Sequence, residues 1–399
     1  MTSHSATRGP PTLTLFYVSA ALGAVGHAMF VYGVVVALTD RFARPMEASI
    51  AYAIAFLTMA VLTPVRGYLG DVTPLSRLIR RCVLSMAGAV SVFALILQAM
   101  PAQSLYVFAA FCLCAVYGYA SGGVAGNRMA MAPRIVEAHA TPTVVLSMMS
   151  VFGFTFGPLF YAAARAVLGD PAAMLATSIM LAASAIILPI VKSEDALAAS
   201  RELKIWRGVR DGVLRIFSQQ KLWSALLLGA TPSLFVLGPL QTVAPLFIAE
   251  QKPSAEIFRG IVFVALGVGI LAGGVLSAKR FARSRKRRRF ASISSLFACA
   301  GLALFTQFAN APSLIGLAFL CGVGLGVPHA LVPVLLQNHV EDRLRARVMA
   351  VLTLKVTAVP AIGAVVCGFM ASKLGAGPAL FAMATTGFAA GLAIMRFQK

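Results

Sequence analysis

The stretch 48-ASIAYAIAFLTMAVLTPVRGYLGDVTPLSRLIRR-81 decides how the rest of the chain is read. It runs through an apolar segment, meets Gly67-Tyr68-Leu69-Gly70-Asp71, and then Arg77, Arg80 and Arg81. An apolar run of this kind matches the roughly 20 residues a helix needs to cross a hydrocarbon layer of about 30 Å. Arginines directly behind it mark the face on which the helix emerges.

The same alternation repeats outward in both directions. Apolar spans are expected near 13–38, 48–70, 79–100, 104–131, 143–168 and 171–191, and again near 221–248, 256–278, 290–309, 313–337, 346–372 and 377–396. With 59% hydrophobic residues and a mean hydropathy of +0.86, the composition is that of an all-α membrane protein with twelve transmembrane helices. The formal charge of +21 is sorted by loop. If the N-terminus is cytoplasmic, that side receives Arg8, Arg66, Arg77, Arg80, Arg81, Arg128 and Arg134. It also takes the basic residues of 192–221, the run Lys279 to Arg289, Arg343, Arg345, Arg347, Arg396 and Lys399. The outer side receives only Arg41, Arg44, Arg165, Lys252, Arg259 and Lys373. Both termini are therefore expected in the cytoplasm, with the chain in the plasma membrane, the inner membrane of a bacterium. The run 283-RSRKRRR-289 lies in a short loop between two spans, so anionic lipid headgroups are its expected contact rather than nucleic acid. The first apolar stretch is too long for a signal-peptide core, and the first span is expected to be retained.

Several chemistries find no support. All six cysteines fall inside spans, and Cys112 and Cys114, two apart on a helix, point in nearly opposite directions, which disfavours a metal pair. There is no phosphate-binding GxxxxGK[ST] loop, no HExxH, and no stretch outside the spans long enough for a catalytic domain. No metal, no cofactor and no enzymatic activity is expected.

The chain divides at mid-length. Residues 1–191 form one six-helix bundle, 192–220 a cytoplasmic linker, and 221–399 a second bundle. Within the linker, 201-RELKIWRGVRDGVLRIF-217 sets Trp206, Val209, Val213 and Phe217 along one helical face with basic residues beside them, the pattern of an interfacial amphipathic helix. The halves echo each other. Gly67–Asp71 pairs with Gly274–Ala278, 168-LGDPAAML-175 with 374-LGAGPALF-381, and Val136-Glu137 with Val340-Glu341, at a shared offset of about half the chain. A common offset predicts two six-span repeats of the same orientation.

These motifs resemble those of the major facilitator superfamily. Gly67-Tyr68-Leu69-Gly70-Asp71 with the later arginines is similar to its G-x-L-[AG]-D signature after span 2, although Val72 and Pro74 stand where a base and a glycine are usual. Gly153, Gly157 and Pro158 match the exporter signature G-x-x-x-G-P, with Tyr161 and Ala162 replacing its last glycines. The segments 336-LQNHVEDRLRARVMAV-351 and 128-RMAMAPRIVE-137 look like junctions of the twelve-span efflux group that includes macrolide and enterobactin exporters. The resemblance implies that Asp71 pairs with a partner across the halves near the start of span 11, and that the pair latches the cytoplasmic side. Arg128 and Arg134 are the same-half candidates for that partner. It also implies that spans 1, 4, 7 and 10 line a central cavity.

Polar and titratable residues deep in spans mark the candidate path, because burying them is costly. They are His27 and Tyr32 in span 1, Gln241 in span 7, His329 in span 10 and Lys355 about ten residues into span 11. None of the thirteen acidic residues lies at a span centre. A cavity holding Lys355 and two histidines favours an anionic or zwitterionic substrate, and histidine could carry coupling protons. The expected function is a monomeric secondary transporter exporting a small anionic or amphipathic organic molecule with proton coupling. The alternatives are uptake or exchange of small carboxylates, and a non-transporting sensor or scaffold on the same fold.

Overall fold

The computed structural model describes residues 10–42, 44–99, 103–135, 141–190, 210, 214, 217–251, 256–280, 284, 286–337 and 342–397. The chain is all-helical over these residues: α1 (Pro10–Phe42), α2 (Pro45–Val72), α3 (Leu75–Ala99), α4 (Gln103–Ser121), α5 (Ala125–Ile135), α6 (Thr141–Ile187) and α7 (Gln220–Pro232). After a π-helical turn (Ser233–Leu237) come α8 (Gly238–Thr242), α9 (Ala244–Gln251), α10 (Glu256–Arg280), α11 (Arg287–Phe305), α12 (Ala311–Gln337), α13 (Asp342–Leu374) and α14 (Ala376–Phe397). Eleven segments among the described residues are long and apolar enough to cross a membrane. The amphipathic reading of 201–217 falls almost wholly outside the described residues.

One of the eleven accounts for two expected spans. At 1.5 Å per residue, 47 residues of α6 would reach about 70 Å, more than twice a hydrocarbon core. The helix does not run straight. Gly169 adopts φ 80° and ψ 171°, breaks the spiral, and is followed by Pro171. In the other half Gly375 takes φ 88° between α13 and α14. These two glycines occupy matching places in the echoed segments 168–175 and 374–381, and both take a positive φ, which is open to glycine at little cost.

Close helix approach is made by small residues. On α6, an added Cβ at Gly157 would come within 2.5 Å of the Ala28 Cβ, and Gly153 sits directly on Ala24, so α1 and α6 meet nearly backbone to backbone. Between halves, a Cβ added at Gly260 of α10 would come within 2.7 Å of the Leu159 Cα, Gly267 lies on Thr155, and Gly368 of α13 lies on Ser49 and Pro45 of α2. All these inter-half contacts fall from mid-helix to one end of the bundle, the end that carries Phe42, Pro45, Glu256 and Leu374. The buried core reflects the asymmetry. One cluster runs through both halves. A separate one, with Leu222, Leu228, Ala291, Leu336 and Leu352, belongs to the second half alone at the opposite end.

Candidate functional site

A cavity of ≈190 Å³ lies between the halves. Its wall is mainly apolar, with Phe56, Met59, Met86, Met129, Phe154 and Phe263. Its polar groups include His27, Tyr32, Ser121, Arg128, Ser150 and Gln241. The cavity reaches from mid-membrane towards Ala20, Arg128 and Leu146, away from the closed end.

Two layers shut that closed end. The inner layer lies over the cavity. The Tyr52 hydroxyl of α2 donates to Oε1 of Gln241 in α8, a bond between halves, and Tyr52 stacks on Phe56 with ring centroids 4.4 Å apart. Tyr32 of α1 meets Phe263 of α10 edge-on at 5.2 Å. The outer layer is ionic. Arg259 of α10 grips Asp40 of α1 with both nitrogens, Nη1 to Oδ1 at 3.0 Å and Nη2 to Oδ2 at 2.9 Å. Arg165 of α6 also reaches Asp40, at 2.5 Å, and lies 2.7 Å from Asp170 and 3.4 Å from Glu256 of the second half. Arg259 retains Glu256 at 3.9 Å within its own helix. Each arginine therefore has a carboxylate in its own half as well as one across the interface. Parting the halves would break Arg259–Asp40 and Arg165–Glu256 without stranding either cation.

His27 bonds the Tyr117 hydroxyl through Nδ1 at 2.9 Å and lies nearly parallel to that ring, with Tyr117 in turn stacked 3.9 Å from Phe30. Arg128 is buried at 6% exposure. Its guanidinium donates to the Ala20 carbonyl at 3.3 Å, to the Ser19 carbonyl at 3.2 Å and hydroxyl at 3.3 Å, and to Ser184 Oγ at 2.8 Å. Its Nε is buried without a hydrogen-bond partner among the described residues.

Of the residues singled out in the sequence, His27, Tyr32, Gln241, Arg128 and Pro158 come together on this wall. Gly153 and Gly157 pack against α1 beside it. His329 and Lys355 do not belong to the wall. Lys355 is buried at 7% exposure, with Nζ 3.0 Å from where a Cβ on Gly229 would stand, among residues such as Val332. His329, on α12, is exposed and within electrostatic reach of it. The side chains of Asp71 and Arg134, and hence the expected cytoplasmic latch, lie outside the described residues. The ion pairs at the other end escaped the sequence reading. Asp40 and Glu256 counted only among the thirteen acidic residues away from span centres, and Arg165 and Arg259 only as exceptions to the loop-charge asymmetry. That two exceptions coincide with two acids was the available signal.

The sequence profile described as Major Facilitator Superfamily matches residues 13–364. A bundle of apolar helices around a cavity at the meeting of its halves defines a membrane transport protein rather than an enzyme. The chain belongs to the Major Facilitator Superfamily. Among solved structures it is similar to a mutant of the nucleoside transporter NupG, at 14% identity and TM-score 0.74 over 98% of this chain and 100% of that one. It is similar to a peptide transporter POT mutant in complex with sulfate, at 12% identity and TM-score 0.76 over 98% and 96%. It also resembles a bacterial homologue of the human lysosomal transporter Spinster in an inward-facing, unoccupied conformation, at 15% identity and TM-score 0.69 over 98% and 95%. At these identities the likeness is one of fold. No curated protein sequence matches the chain.

Proposed function

We propose that the chain is a twelve-span secondary transporter, built of two six-span repeats, that moves a small anionic or amphipathic organic molecule by alternating access. The observation that carries this reading is the pairing of a mid-membrane cavity with a two-layer closure at one end only. The matching turns at Gly169 and Gly375 support the repeats. With the Lys/Arg-rich loops in the cytoplasm, the shut end is the outer one and this conformation faces inward. Export is the direction favoured by the Gly153–Gly157–Pro158 signature and the span junctions. His27, the titratable group on the cavity wall, is the candidate carrier of coupling protons.

The test is flux of labelled small organic anions and amphipathic compounds into membrane vesicles of known orientation under an imposed pH gradient. Accumulation in inside-out vesicles, driven by an acid interior, is the expected result. Accumulation in right-side-out vesicles instead would establish uptake. No flux of any compound in either orientation would leave the non-transporting sensor reading.

A further inference from the structure

Among the described residues, no carboxylate pairs with the buried cation Arg128. The residue lines the cavity and is nine-tenths buried. Its hydrogen bonds go to neutral oxygens: two α1 carbonyls and the hydroxyls of Ser19 and Ser184. These satisfy donors and fix the group, but they leave a full positive charge beside an apolar space, where desolvation is costly. The seat is built for it. A Cβ on Gly23 would come within 2.7 Å of Nη1 and 2.9 Å of Nη2, so a larger residue at that position of α1 would push the guanidinium out of its present seat. Among the described residues no carboxylate lines the cavity, and apart from Arg128, His27, Tyr32, Ser121, Ser150 and Gln241 the wall is aromatic, aliphatic or thioether. In a low-dielectric setting one uncompensated charge sets the sign of the preferred guest.

We infer that Arg128 is the anion anchor of this cavity, and that its substrate is a small organic monoanion with an apolar body. The inference rests on the transporter reading and narrows its substrate class. The head group meets Arg128, and the apolar body lies against Phe56, Met59, Met86 and Phe154, beneath the Tyr52–Gln241 bridge. Small volume argues against bulky drugs, one permanent cation favours a single negative head over a dianion, and that cation repels amines.

The test uses the full chain in neutral-lipid nanodiscs and three probes that share one apolar body: phenylbutyrate, phenylbutylamine and phenylbutanol. Equilibrium binding should rank the carboxylate first, the alcohol well below it, and the amine last. In Arg128→Gln the carboxylate should bind about tenfold more weakly or worse, with the alcohol unchanged. Arg128→Lys should recover part of the loss. Gly23→Ala, which keeps the charge but displaces it, should weaken the carboxylate as well. Equal binding of the three probes to the native chain, preference for the amine, or unchanged carboxylate affinity in Arg128→Gln would each overturn the anchor. The head-group ranking is measured on the native chain and holds whether or not a variant folds. Opening of the closed end, followed by spin-label distances across Asp40–Arg259, reports alternating access separately. If the ends still exchange but the ranking fails, the anchor alone falls. If they do not exchange, the transport reading falls.

Discussion

Asp40 and Arg259 join the two halves of the bundle through a bidentate ion pair whose arginine side chain is only 3% exposed. The planar fork of guanidinium on carboxylate is directional as well as strong. One bond pair thus closes the end of the cavity and fixes how the first half sits on the second. Its position at the edge of the apolar core makes it stronger than a surface bridge, and Arg165 holds the same carboxylate from the other side.

Asp40→Asn should therefore open that end. Removing one member of a largely buried pair costs about 3–5 kcal/mol when nothing replaces it. Glu256 offers Arg259 partial replacement at 3.9 Å, so a shift of about 1–3 kcal/mol is expected, enough to invert a two-state population. Spin labels at Val167 and Ile257, both exposed, should read a longer distance in the variant. An unchanged distance distribution would deny Asp40 the gating role.

The inter-half glycines lead to the same outcome by sterics. Gly267→Val would drive a side chain into Thr155, whose Cα lies 2.8 Å from the added Cβ. Overpacking of this kind costs about 1–3 kcal/mol. Because the contact exists only while this end is closed, the cost falls on that conformation. Gly157→Val should act differently, since Gly157 meets Ala28 and Met29 within one half. It should lower the melting temperature without a preference between conformations. Comparing melting and label distances for the two variants separates the roles.

Lys355 presents a buried ammonium with no acid beside it among the described residues. Lys355→Met keeps the length and removes the charge. If burial is its only circumstance, stability should rise by about 1–2 kcal/mol with transport intact. If the charge acts in transport together with His329, the variant should be more stable and less active. The second outcome is expected, and native turnover in Lys355→Met would exclude it.

His27→Gln should uncouple rather than disarm. Glutamine can still bond the Tyr117 hydroxyl but does not titrate. Accumulation against a gradient, driven by pH, should fall at least about tenfold, while exchange at equal pH continues. Loss of both would assign His27 to substrate binding instead.

Orientation is open to a direct check. In a chain freed of its native cysteines, Lys373→Cys should react with an impermeant maleimide in intact cells, and Lys286→Cys only after lysis. The reverse pattern would invert the topology and with it the direction in which the cavity opens.

The sequence by itself determined the class of fold. Hydrophobic runs of membrane-spanning length and Lys/Arg in alternate loops follow from the energetics of a bilayer, which acts on each segment separately and so is written in each segment. The turn glycines Gly169 and Gly375 were legible as echoed LG pairs for the same local reason. His27, Tyr32 and Gln241 were found because a polar group deep in a span is costly wherever its neighbours stand. The roles of Asp40, Arg165, Arg259 and Arg128 were decided only by tertiary structure. Asp40 and Arg259 are 219 residues apart, and nothing local says that two boundary charges face each other. Arg128 read as a cation at the cytoplasmic end of its span and a candidate partner for Asp71. Only the approach of α1, with Gly23 leaving room for the guanidinium and Ser19 and Ser184 binding it, turned it inward. Lys355 moved the other way, from the expected cavity wall into packing against Gly229, because its depth was legible in the sequence whereas its facing depended on how α13 packs against α7 and α12. Depth in the membrane is a property of one helix, whereas facing and pairing are properties of several packed together.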